Sequence, residues 1–301
     1  MNHEIALGDV TVTRVEEMHG PVGMTPDMFF PGTPEQPWLD QRDQLVPDFL
    51  EADTNLALVA VQTWVLRSEG KTILIDTGVG NHKERPYVPA WGHLETSYLD
   101  NLAAAGVQPE DVDIVVNTHL HVDHVGWNTR LDGQAWVPTF PNATYLMPKA
   151  DYDFWNPANK NESVFGPGNQ NVFEDSVAPV HAAGLAVLWE GSHVIDGNLR
   201  LETAPGHTPG SSVVTLSSGS DRAVFAGDLL HTPVQVTHAD QNSCFCEDAV
   251  GARVSRHKIL GWAADNNALV IPAHFPGHGA FEVDRHAGAF AIKGWAGFSR
   301  L

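Results

Sequence analysis

NTHLHVDHVGW, residues 117–127, follows directly on the apolar run Val112, Ile114, Val115 and Val116 and places three histidines and an aspartate within six positions. A strand bound for a hydrophobic core has no reason to end in groups that are costly to bury, unless something pairs with them. In an extended segment side chains two apart share a face, so His119, His121 and Asp123 are expected on one side and His124 on the other. Imidazoles with a carboxylate suit zinc and related first-row ions such as iron or manganese. One such histidine alone reads as an ordinary partnered residue. Four ligand-type side chains in fixed register at a strand end read as a metal site.

The rest of the chain repeats the device. ETAPGHTPGS (202–211) sets His207 between two Pro/Gly turns, AVFAGDLLH (223–231) puts Asp228 after an apolar strand, and ALVIPAHFPGHG (268–279) does the same with His274. Rigid strand ends are where precise sites are built. Five histidines and two aspartates exceed what one tetrahedral ion takes. Two divalent ions roughly 3.5–4 Å apart use them all. We assign His119, His121 and His207 to one ion and Asp123, His124 and His274 to the other, with Asp228 bridging. Zinc is the first expectation, with iron, manganese or cobalt as alternatives. A hydroxide between the ions would serve as nucleophile, because coordination brings the pKa of water down to about 7. No G-x-S-x-G elbow competes for that role. Asp123, Asp228 and His231 are the candidates for proton handling and for the leaving oxygen. Asp76, in ILIDTG (73–78), is expected behind the ligands, orienting one of them by hydrogen bonds.

Strand patterns at 4–18 (turned at Gly8-Asp9), 56–67, 71–75, 112–117 and 143–147 precede or alternate with helical patterns at 95–105, 148–156 and 176–187. A second group of strands near 199–203, 211–217, 222–226 and 268–272 surrounds a helix at 248–264. The segments 20–53 and 157–175 carry loop chemistry. Two groups of strands, each with helices and no Gly/Ser linker between, predict an α/β fold of two mixed sheets packed face to face with helices outside. A single domain over 1–301 is expected, with the Pro- and aromatic-rich part of 1–55 serving as a lid or a dimer contact.

The net charge of −20, with 17 Lys and Arg in 301 residues, argues against a nucleic-acid partner. No apolar run is long enough to span a membrane, and MNHEIALGDV is not a secretory leader, so a cytoplasmic protein is expected. Cys244 and Cys246 read as two free thiols outside the site.

ILIDTG, THLHVDHVG, PGHTPGS, AGDLLH and PAHFPGHG together resemble the ordered motifs of the metallo-β-lactamase-fold hydrolases over about residues 56–280. The resemblance implies a four-layer αββα sandwich with a dinuclear centre at one edge. Its nearest branches are methyl parathion hydrolase and the N-acyl-homoserine lactonases. That implies a lactone, a carboxylic ester or an organophosphate triester as substrate, and a homodimer. Lactonases typically carry a tyrosine three residues after the bridging aspartate, where this chain has His231. Two alternatives share the scaffold: a thioesterase of the glyoxalase II kind and a mononuclear-iron persulfide dioxygenase. Trp127, Phe275, Trp91, Trp155 and Phe165 are expected to border a pocket for a small, neutral or apolar substrate.

Overall fold

In the computed structural model, which describes residues 4–296, apolar side chains of successive strand residues alternate between two different cores. The first sheet comprises β1 (Glu4–Leu7), β2 (Val10–Pro21), β3 (Leu58–Ser68), β4 (Lys71–Ile75) and β5 (Ile114–Val116). A separate hairpin, β6 (Thr129–Asp132) with β7 (Ala135–Pro138), comes next, and β8 (Thr144–Pro148) and β9 (Ala186–Trp189) complete the sheet in the order β1-β2-β3-β4-β5-β8-β9. The second sheet runs in chain order: β10 (Ser192–Val194), β11 (Leu199–Thr203), β12 (Ser212–Ser218), β13 (Asp221–Gly227), β14 (Leu269–Pro272), β15 (Phe281–His286) and β16 (Ala289–Trp295). Both are mixed: β4, β5, β8 and β9 are parallel, as are β13 and β14, and the other pairs are antiparallel.

The alternation builds the layers. Trp64, Leu66, Ile73, Ile75 and Val116 of the first sheet meet Leu201, Val214, Phe225 and Ile271 of the second in a core between the sheets. Their neighbours Val65, Leu74 and Val115 face the other way, onto Tyr98 and Leu102 of the helix Tyr98–Ala104 and onto Val177 and Val180. Val213, Val224 and Val270 likewise turn outward onto Ile259, Leu260 and Ala263 of the long helix Ala249–Asn266. Asp248 caps that helix, its carboxylate accepting from the Val250 and Gly251 amides. The result is the expected helix–sheet–sheet–helix sandwich. Among the described residues no helix is long and apolar enough to cross a membrane.

Segment 20–53 is not plain loop. It holds three one-turn helices, and its Phe29, Phe30, Trp38, Leu45, Phe49 and Leu50 are buried against the outer face of the second sheet. The helix expected over 176–187 ends at Ala182; Gly184, at φ +73°, turns the chain into β9. Two β-bulges aim single side chains. One in β2, between Glu16 and Met18, turns the Glu17 carboxylate inward; the other in β13, between Phe225 and Gly227, immediately precedes Asp228.

Candidate metal centre

Four strand ends converge at one edge of the sandwich. Residues 117–124 follow β5, His207 follows β11, Asp228 follows β13 and His274 follows β14. The 118–125 stretch is a series of tight turns rather than an extended segment. The His124 amide donates to the His121 carbonyl at 3.1 Å. Tight turning, not strand alternation, therefore separates the ligand candidates. His119 and His121 join His207 and Asp228 in one group, while Asp123 and His124 join His274 in a second.

Asp228 lies between the groups. Its Oδ2 is 3.2 Å from His207 Nε2 and 3.7 Å from His119 Nε2, while its Oδ1 is 3.3 Å from His124 Nε2 and 3.1 Å from His274 Nε2. Asp123 completes the second group, with Oδ2 3.4 Å from His274 Nε2 and Oδ1 3.7 Å from His124 Nε2. Nitrogen meets nitrogen as well: His207 Nε2 is 2.9 Å from His121 Nδ1, His119 Nε2 is 3.1 Å from the same atom, and His124 Nε2 is 3.2 Å from His274 Nε2.

The ring nitrogens facing away are held by the protein in four of the five histidines, and His121 Nε2 is buried without a hydrogen bond. His124 Nδ1 donates to Asp76 Oδ2 at 2.9 Å, His274 Nδ1 to the Ala60 carbonyl at 2.8 Å, and His119 Nδ1 meets Thr118 Oγ1 at 3.1 Å. His207 Nδ1 faces Cys246 Sγ at 3.8 Å. These partners set which nitrogen keeps its lone pair toward the centre. Asp76 sits where it was expected, behind His124. It adopts φ +58° and also accepts from the Thr118 amide and hydroxyl, both at 2.8 Å.

Electrostatics divide the rings. Burial, then the neighbouring imidazoles, holds His119 and His121 well below their ordinary pKa. Burial also opposes charge on His124 and His207, but nearby carboxylates outweigh it. Asp228, Asp76 and Asp123 raise His124, and Asp228 raises His207 to about 10. Asp228 itself is driven well below the carboxylate range by His274 and His124, against its own burial. A carboxylate that draws this much positive charge suits cations. The donor spacing agrees, since ligands 2.0–2.1 Å from a tetrahedral ion lie roughly 3.3 Å from one another. Asp228 Oδ1 is buried and has no hydrogen bond of proper geometry. The residues present fit divalent metals.

A cavity of about 690 Å³ opens onto the centre. Asp123, Asp228, His121, His207, His231 and His274 form its floor. Its walls are apolar, and include Met24, Phe29, Tyr87, Trp91, Phe165 and Phe245. His231 reaches the floor beside Asp228, with Nε2 3.2 Å from Oδ2 and its ring stacked on His274. Trp91 and Phe165 line the cavity as expected from the sequence. Trp155 does not: it packs on the His121 ring at 5.3 Å without lining the cavity. Trp127 and Phe275 are corrections. Trp127 is buried, stacked on Tyr98, and its indole N–H donates to Glu17 at 2.7 Å. Phe275 is fully buried between Phe49 and Phe281. Each adjoins the ligand stretch in sequence, but the backbone sends it into a core.

Several residues escape a reading by sequence. Cys246, set aside above as outside the site, is buried behind His207, while Cys244 lines the cavity; both thiols are free. Asp151, on the helix Lys149–Trp155, accepts from the Leu120 amide at 2.8 Å, Thr208 Oγ1 at 2.9 Å and the Gly210 amide at 2.5 Å, tying two ligand loops together. Glu17 accepts from the Val79 and Gly80 amides, Thr96 and Trp127. A Cβ on Gly78 would lie 2.1 Å from the Glu17 carboxylate, so the loop after β4 needs glycine there. No spacing rule marks any of these, because each works on groups distant in sequence.

The family model described as "Metallo-beta-lactamase superfamily" matches residues 56–274. The chain belongs to the metallo-beta-lactamase superfamily. It is 26% identical over 194 residues to the N-acyl homoserine lactonase AttM of Rhizobium radiobacter, a match covering 59% of this chain and 64% of that protein. The match thus spans just under two thirds of that relative's length. Among solved structures, the hydrolase AbOPH of the beta lactamase superfamily superposes with a TM-score of 0.80 at 25% identity, covering 96% of both chains. AidC, a dizinc quorum-quenching lactonase, superposes with a TM-score of 0.78 at 24% identity over 97% of both chains, a likeness of fold.

Proposed function

We propose that this superfamily member hydrolyses neutral esters with an apolar arm (lactones, carboxylic esters or organophosphate triesters) at a dinuclear centre, with zinc the first candidate ion. The observation that carries the reading is Asp228, which turns one oxygen to each of two ligand groups. His119, His121 and His207 would hold one ion and Asp123, His124 and His274 the other. Two divalent cations held there supply Lewis acidity toward the electrophilic oxygen and make water acidic enough to react near neutral pH.

The chain's own groups do the rest. The apolar walls exclude water and seat the arm of the substrate over the floor. Among the described residues lining the cavity there is no Lys or Arg to pair with a charged arm of the substrate. Asp123 is the more exposed of the two carboxylates and faces the cavity, a position from which it can also accept a proton. His231 can offer an N–H to the leaving oxygen, the place where lactonases of this family present a tyrosine. The presence of relatives named as lactonases puts lactones first among the substrates.

The test pairs metal analysis with a panel of substrates: a γ-lactone, an aryl acetate, a dialkyl aryl phosphotriester and a thioester. The expected result is two ions per chain, hydrolysis of at least one oxygen ester, and loss of every activity in Asp228→Ala. One ion per fully folded chain, or turnover of the thioester alone, refutes the reading.

A further inference from the structure

The cavity wall formed by Phe165 belongs to a segment whose first half is tied to the preceding helix, Asn159 Nδ2 donating to the Asp153 carbonyl at 2.7 Å and Asn161 Nδ2 to the Phe154 carbonyl at 3.0 Å. Residues 157–170 are rich in Gly, Pro and Asn and pair with neither sheet, and Gly166 takes φ +63°. At one end the segment is secured by Asn169, whose Nδ2 donates to the Leu120 carbonyl at 2.9 Å. At its tip, among the described residues, every hydrogen bond from Ser163, Val164 and Phe165 to the rest of the chain ends on one side chain, Glu247. The carboxylate accepts from the Ser163 hydroxyl, from the Val164 amide at 2.8 Å and from the Phe165 amide at 3.4 Å.

Glu247 is itself held firmly. Its amide donates to the His207 carbonyl at 3.0 Å, and the next amide, Asp248, donates to Gly206 at 2.8 Å before Asp248 caps the long helix. The turn is thus referenced to the backbone of a ligand candidate. The Phe165 ring it carries packs on His121 and on Phe245, both at 5.2 Å, and lies on the Gly168 backbone so closely that a Cβ there would come within 2.4 Å of it.

We infer that Glu247 is a positioning residue for substrate selection: by pinning the Ser163–Phe165 turn it holds the Phe165 ring over His121, and so favours substrates whose apolar arm ends against that ring. The inference rests on the hydrolase reading for its substrates, but not for its geometry. Truncating Glu247 leaves the ligand candidates intact and frees the turn, so a long apolar arm loses its wall while a small substrate never used it.

The experiment compares the metal-loaded full chain with Glu247→Ala and Glu247→Gln. In Glu247→Ala, amide exchange at Val164 and Phe165 accelerates about tenfold or more, because their shared acceptor is gone. KM for γ-decalactone rises about tenfold, the scale of one lost aromatic contact. Its kcat and the kinetics of γ-butyrolactone change by less than about twofold, and bound metal is unchanged. Glu247→Gln keeps one acceptor oxygen and falls between. Adding Phe165→Ala to Glu247→Ala raises KM little further, since both act on the same wall. Equal losses for the short and long lactones, multiplying effects in the double variant, or unchanged exchange would each overturn the inference. A wild-type chain inert toward both lactones would refute the lactone reading and leave the exchange result to decide on Glu247.

Discussion

Replacing Asp151 by alanine tests the idea that one buried carboxylate holds two ligand loops in register. Leu120, between His119 and His121, and Thr208, next to His207, both donate to Asp151, as does the Gly210 amide. Alanine leaves two backbone N–H groups buried without an acceptor, while the Thr208 hydroxyl keeps Ser211 Oγ at 2.8 Å. Each unsatisfied group costs about 1–3 kcal/mol, so the two together cost roughly 2–6 kcal/mol, some of it recovered because a buried charge is no longer desolvated. At about 2 °C per kcal/mol in a chain of this size, thermal unfolding should start about 4–12 °C lower. The loops also lose their spacing, so metal affinity, read by competition with a chromogenic chelator, should fall about tenfold or more. Asp151→Asn should lie between, since its amide NH2 must face at least one donor. A variant that melts within 2 °C of the wild type and binds metal equally well would refute the reasoning.

Other outcomes follow from the same contacts. Asp76→Ala removes the acceptor for His124 Nδ1, and should weaken metal binding about 10- to 100-fold while the chain stays folded, as read by calorimetric titration. Trp127→Phe strips a donor from Glu17, and should lower stability in denaturant titration by about 1–2 kcal/mol with KM unchanged; a KM shift without destabilisation would return Trp127 to the pocket. Burial, with Arg85 alongside, lowers Lys83 from its ordinary value to about 7 although Asp175 opposes the shift. The unfolded chain then binds more protons between about pH 7 and 10.4, so stability should rise across that window by up to about 1.4 kcal/mol per pH unit relative to Lys83→Met, and this advantage is lost as pH falls through about 7. Equal pH slopes for the two proteins would refute it.

The ligand candidates were legible because their chemistry is local: His and Asp at the ends of apolar strands carry their meaning with them. The same locality misleads one residue further on. In the bend after β14, His274 turns to the cavity while Phe275 goes into the core. Glu17, Asp151 and Glu247 were not legible, because each is defined by partners 31 to 110 positions away and one of them depends on a β-bulge. The 157–175 segment was readable as loop except for its end, where the helical turn Phe173–Val177 begins, but nothing in its composition says which side chain anchors it. β15 and β16 were missed because charged and small residues interrupt their apolar alternation.

The ligand candidates divide four to three by origin: His119, His121, Asp123 and His124 leave the first sheet, and His207, Asp228 and His274 leave the second. Ions held between them would act as a rivet joining the two halves of the sandwich at its open edge. Stripping the metal then removes a cross-link as well as a reagent. The two sheets should part first at that edge, with the turns around residues 118–125 and 205–211 becoming vulnerable to protease well before the core between the sheets gives way.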